Sequence, residues 1–147
     1  MDETNIVKTV TRKIFPVLVL FGFYLVSYGH LSPGGGFQGG VVLGSALILL
    51  CLSQGIAETE KRFRYPTLNM IKSTGALIFL GIGFLGIVLG LNFLTDFLPT
   101  GEIGSIPSAG SILLLNLAIG MKVGTGTFLI IHTLMKFIPG DKNGNQY

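Results

Sequence analysis

The chain has 147 residues, 49% of them hydrophobic and only 12% charged, with a formal net charge of +3. Soluble domains carry about 25% charged residues, so this composition, with its 22 glycines, excludes an ordinary soluble domain and fits a polytopic membrane protein. The basic residues gather near the ends of apolar segments, which argues against nucleic-acid binding, and the single Cys51 excludes an intramolecular disulfide.

The first apolar segment covers about residues 14–28. Lys8, Arg12 and Lys13 precede it, as in a secretory signal peptide. No small-residue cleavage pattern follows, so the segment reads as a retained helix with Pro16 in its first turn. Residues 14–57 contain no Asp, Glu, Lys or Arg. That run is too long for one membrane span of roughly 20 residues and suits two. The division falls at Gly29-His30-Leu31-Ser32-Pro33-Gly34-Gly35-Gly36-Phe37-Gln38-Gly39-Gly40. Ser32 can cap the second helix, Pro33 can open it, and the glycines permit positive φ.

The second segment covers about 37–54. The third covers about 71–94, with Pro66 as the preceding stop and Thr67 and Asn69 as candidate caps. The fourth covers about 107–138, ahead of Pro139-Gly140. At 1.5 Å per residue it would be about 48 Å long, longer than the hydrocarbon core, so it must tilt, bend or project. The expected fold is an all-α integral membrane protein: one membrane domain, residues 1–147, with four transmembrane helices.

Of the ten basic residues, all but Lys122 lie before the first segment, between the second and third (Lys61, Arg62, Arg64, Lys72), or after the fourth (Lys136, Lys142). The two opposite loops hold no Lys or Arg. The positive-inside rule therefore places both termini and the middle loop in the cytoplasm.

Gly36, Gly40 and Gly44 recur every fourth residue, and Gly75, Gly86 and Gly90 share a face of the third segment, with Gly83 beside them. Small residues at such spacings let helices approach closely in lipid. Packing within the chain or against other subunits accounts for them. Gly34-Gly35-Gly36-Phe37-Gln38-Gly39 formally matches G-x-G-x-x-G. That fingerprint needs a preceding strand, and here a membrane helix comes first. Free N–H groups at this helix start can attract an anion or a partner's carboxylate; a tight turn without a ligand is the plainer reading.

Lys122 falls near the middle of the fourth segment. A lysine at that depth costs about 2.5–3.5 kcal/mol and calls for a partner, water or a proton-transfer role. Ser111, Ala118, Gly126 and Thr133 share its face at helical spacing. The chain offers no intramembrane acid, so the partner lies on another polypeptide or the side chain snorkels to an interface. His30 at the outer mouth and His132 toward the inner end can shuttle protons or simply hydrogen-bond. Asn116, on a face with Gly120, Gly124 and Thr127, can bond across helices or offer an oxygen to a cation. Asp96 and Glu102 are the acids of the outer loops and can attract cations to an entrance. No nucleophile–base pair, metal-ligand cluster, CxxC or cofactor motif is present.

The glycine-rich turn from Gly29 to Val41 closely resembles the hallmark of the B subunit of Mrp-type multisubunit cation/proton antiporters. Asn116-Leu117-Ala118-Ile119-Gly120-Met121-Lys122-Val123-Gly124 is similar to that family's fourth-helix motif. The resemblance covers nearly the whole chain. It implies a small hydrophobic subunit set beside larger antiporter-like subunits related to those of respiratory complex I. It also implies kinship with modules inside energy-converting membrane-bound hydrogenases and ferredoxin-linked respiratory complexes of archaea. There the small subunits help form the sodium path.

The expected protein is therefore an accessory subunit of a sodium/proton antiport module in the cell membrane, without an enzymatic site or cofactor of its own. Its partners are other module subunits, Na+, the lipid bilayer and, in some complexes, hydrogenase-type subunits. Lys122, His30, Asn116, Ser111, Thr133, Asp96 and Glu102 are the candidate ion-path or coupling residues. Pro33, Gly34, Gly35, Gly36, Gly39, Gly40, Gly44, Gly86 and Gly90 are the candidate packing or docking residues. Two rivals stand beside this reading: a scaffold with no residue in the ion path, and a self-contained homo-oligomeric transporter.

Overall fold

A computed structural model describes residues 3–31, 34–98, 101, 108 and 110–137. It contains α1 (Glu3–Tyr28), α2 (Gly36–Gln54), α3 (Ile56–Arg62), α4 (Tyr65–Val88) and α5 (Ser111–Phe137), and no strand among the described residues. Four of these helices, all but α3, are long and apolar enough to cross a membrane.

Glycines set the order of packing. A β-carbon on Gly40 would stand 2.9 Å from the Gly120 carbonyl oxygen, and one on Gly44 would stand 2.8 Å from that of Gly124. The residue numbers rise together, so α2 and α5 run parallel, backbone against backbone, at the centre. Gly39 meets α1 in the same way, 2.8 Å from the Gly22 carbonyl and 2.6 Å from Val26 Cγ2. Gly75 brings α4 onto α5, 2.8 Å from the Ala118 carbonyl. Lipid gives helices no hydrophobic reason to associate, so close contact at residues without side chains is where the attraction arises. The stripe Gly36, Gly40, Gly44 is thus used inside the chain.

The short helix α3 was not expected. Gly55, at φ 88°, breaks α2, and its N–H bonds the Cys51 carbonyl at 2.9 Å. Glu58 in the first turn and Lys61 and Arg62 in the last suit the dipole of α3. Beneath it lies an apolar cluster of Cys51, Leu68, Phe128 and Leu129, sealed by Ile56 and Phe63.

Several expected boundaries shift. The helix expected over 14–28 begins at Glu3, because the polar residues ahead of it are helix-competent; Thr9 Oγ1 donates to the Asn5 carbonyl at 2.8 Å. Lys8, Arg12 and Lys13 are therefore inside α1, and Pro16 is interior rather than in its first turn. The third helix is displaced toward the N-terminus at both ends. Pro66 sits in its first turn instead of before it, Arg64 is the N-cap, and neither Thr67 nor Asn69 caps it.

At its far end Gly90, at φ 77°, closes α4: Leu91 N–H reaches the Gly86 carbonyl at 2.9 Å, the pattern of a glycine-terminated helix. Gly90 is thus in a turn, not on a helix face. The chain then folds back, and Phe93 covers Gly83 and packs edge-on to Phe84 with ring centroids 5.9 Å apart. The expected start at 107 and end at 138 of the fourth helix lie outside the described residues, as do Ser32, Pro33 and Glu102.

Candidate functional site

Lys122 sits about 17 Å along α5 from Ser111 and about 22 Å from Phe137, at 1.5 Å per residue. Gly75 lets α4 lie against the backbone there, since an added β-carbon would be 3.2 Å from the Lys122 backbone nitrogen. The long side chain is left exposed at the edge of an open groove between α4 and α5, about 470 Å³ in volume. Lys72, Phe37, Phe79, Thr127 and Ile130 share its lining with Lys122. Ala118 and Gly126, from the small face expected around Lys122, also line it. Ser111 and Thr133 do not. Among the described residues the ion pairs are Lys61–Glu58, His132–Glu60 and Lys136–Glu60; neither Lys122 nor Lys72 has a carboxylate within reach.

The displaced start of α4 puts Lys72 well inside that helix rather than at its very start beside the basic loop. A sequence reading misses it because the polar residues from Arg64 to Asn69 look like a connector. Pro66 at the opening of a helix is the signal that finds it.

Asn116 is on a different face of α5, the one where Gly120 and Gly124 meet α2. Its Oδ1 accepts the Gly36 N–H at 3.3 Å. A donor left free at a helix start needs an acceptor, and a side chain from α5 supplies one. The Gly36 N–H is therefore not open to an anion. Gly35, the N-cap, has φ 149° and Gly34 φ 154°, conformations that side chains rarely adopt. His30 is half-buried in the turn after α1.

Asp96 and Ser111 come together at the other loop. Asp96 Oδ1 accepts the Ser111 N–H at 2.8 Å and the Ser111 hydroxyl at 2.7 Å. The backbone bond first, then the hydroxyl, hold the Asp96 carboxyl below its ordinary value against a small burial effect, and the Leu98 N–H adds to the lowering. Ser111 is 1% exposed and is engaged at the mouth of α5, away from Lys122.

A third cluster joins α3 to α5. Glu60 Oε1 is 3.3 Å from His132 Nε2 and 3.2 Å from Lys136 Nζ. His132 is buried, and the contact is close enough for an ion pair when the ring is protonated but is not aligned as a hydrogen bond. Its ring also lies against Phe128, centroids 5.5 Å apart. Thr133 lines the neighbouring cleft with Glu60 and Tyr65. Among the described residues no group of His, Cys, Asp and Glu is arranged to hold a metal ion.

Comparison with known proteins agrees with this architecture. Residues 6–129 match the family described as a domain related to the MnhB subunit of Na+/H+ antiporter. An uncharacterized protein of Methanocaldococcus jannaschii is 33% identical over 131 residues, covering 85% of this chain and 50% of that protein. A Na(+)/H(+) antiporter subunit of Alkalihalophilus pseudofirmus is 32% identical over 123 residues, covering 84% of this chain and 81% of the relative. A chain of the membrane-bound sulfane sulfur reductase, an archaeal respiratory membrane complex, superimposes with a TM-score of 0.75 at 30% identity, covering 88% of this chain and 56% of that one. The chain thus spans about half the length of the archaeal relative and of the reductase chain.

Proposed function

The chain belongs to the family of domains related to the MnhB subunit of Na+/H+ antiporters, and from that premise we propose that it is an accessory membrane subunit of a multisubunit sodium/proton antiport module. It forms one multi-pass membrane domain in the cell membrane, with both termini cytoplasmic and no catalytic site of its own. Larger antiporter-like subunits are its partners, and the module is either free-standing or part of a respiratory complex of the reductase or hydrogenase type. Likeness to the reductase chain supports the second setting, and likeness to the Alkalihalophilus antiporter protein the first.

The observation that carries an ion-path role is Lys122. The residue is far from both ends of α5, its side chain lines an open groove, and no acid pairs with it among the described residues. A charge at that depth is retained where water or a charged neighbour meets it. Lys122 couples or conducts; Asn116 and Ser111 fix the helices around it; His30, Asp96 and Glu102 shape the outer mouth.

The scaffold reading draws support from the exposed apolar faces, such as Val88 at 81% and Leu20 at 73%, which lipid or neighbouring subunits must cover. Mild solubilisation and identification of the copurifying chains tests the proposal. Antiporter-like subunits in stoichiometric amounts are expected. A homo-oligomer that exchanges ions alone in liposomes contradicts it.

A further inference from the structure

Lys72 and Lys122 face one groove from two helices. Lys72 lies in α4, and a β-carbon on Gly126, one turn beyond Lys122 on α5, would be 4.0 Å from Lys72 Cδ. Both lysines line the groove, whose remaining lining is mostly apolar: Phe37, Phe79, Val123 and Ile130 among others. Among the described residues no carboxylate approaches either ammonium; the ion pairs present use Lys61, His132 and Lys136. Two like charges lining one mostly apolar groove repel each other, and within a membrane each would lose hydration without compensation. A single carboxylate answers both, because its two oxygens accept several hydrogen bonds.

We propose that this groove receives an aspartate or glutamate side chain from a transmembrane segment of a neighbouring subunit, held between Lys72 and Lys122. The proposal rests on the reading of the chain as one subunit of a larger module. Depth selects the source of the anion. Lys122 is about 17 Å from the nearer end of its helix, whereas a lipid phosphate stays at the membrane surface. An acid carried on a spanning helix reaches that level. Lys72, closer to the start of α4, then stands between the surface and Lys122 and holds the same acid from the surface side.

The test is a structure of the intact complex purified in lipid nanodiscs. A carboxylate oxygen of another subunit within salt-bridge distance of Lys72 Nζ or Lys122 Nζ is expected. In the complex carrying both Lys72→Gln and Lys122→Gln, that carboxylate should leave the groove. A lipid phosphate between the two amines, or acyl chains or water alone against them, overturns the proposal. If the chain copurifies with no other subunit, the reading of its function is what fails instead.

Discussion

Asn116 of α5 closes the start of α2 by accepting the Gly36 N–H through its Oδ1 at 3.3 Å. The two residues are 80 positions apart. The bond fixes the register of the parallel α2–α5 pair at the end where the glycine-rich turn enters. Asn116→Ala leaves the Gly36 donor without that partner, which costs about 1–2 kcal/mol. The thermal midpoint of the purified complex should fall, while ion exchange by surviving complexes stays near normal. An unchanged midpoint would remove Asn116 from this role.

Gly40 tests the central contact. A side chain there meets the Gly120 carbonyl oxygen and Val123 Cβ, each at 2.9 Å. Gly40→Leu must push α2 and α5 apart, with a cost of about 1–3 kcal/mol or more. Immunoblotting of membranes should show a sharp drop in assembled subunit. Gly81 is the control, since nothing lies within 4 Å of an added β-carbon. Gly81→Ala should be neutral or stabilising by about 0.5–1 kcal/mol.

Asp96 predicts an acid-sensitive loop. Its carboxyl is held low chiefly by the Ser111 N–H and hydroxyl. The folded-state value lies below the unfolded one, so the stabilisation is present above the unfolded value. It is lost as the pH falls through the folded one. Asp96 is exposed, so the effect is small after solvent screening. Thermal midpoints measured from about pH 5 downward should decline more steeply for the wild type than for Asp96→Asn. Parallel curves contradict the assignment.

Glu60 of α3 accepts a hydrogen bond from Lys136 Nζ of α5 and faces the buried His132 ring. The Lys136 pair is exposed, so Lys136→Gln should change stability by less than about 1 kcal/mol. Glu60→Gln removes the charge facing both His132 and Lys136 and should loosen α3. Hydrogen exchange of the α3 amides reads this directly. Faster exchange in Glu60→Gln than in Lys136→Gln is expected, and equal exchange rules out the buried histidine as the anchor.

Much of the fold was legible because membrane spans advertise themselves by length and hydropathy. The second helix was expected over 37–54 and is found at Gly36–Gln54. The spacing of Gly36, Gly40 and Gly44 pointed to close packing, and α5 is what they meet. The third helix lies at Tyr65–Val88 rather than 71–94 for two local reasons. Pro66 begins a helix as readily as it follows one, and the apolar run past Val88 hides the turn that Gly90 makes. With the expected start near residue 71, Lys72 reads as the edge of the basic loop; the start at Tyr65 puts it well inside α4. The Asn116–Gly36 and Asp96–Ser111 bonds span 80 and 15 residues. No local pattern announces them, because they exist only once the helices are placed.

The central claim is that Lys122 acts in ion movement rather than as a mere anchor. Sodium-dependent proton exchange by the intact complex, reconstituted with Lys122→Ala, measures it most directly. The account predicts a fall in exchange of about tenfold or more with subunit content unchanged. Loss of the subunit from the complex, with normal exchange by the complexes that remain, would contradict it.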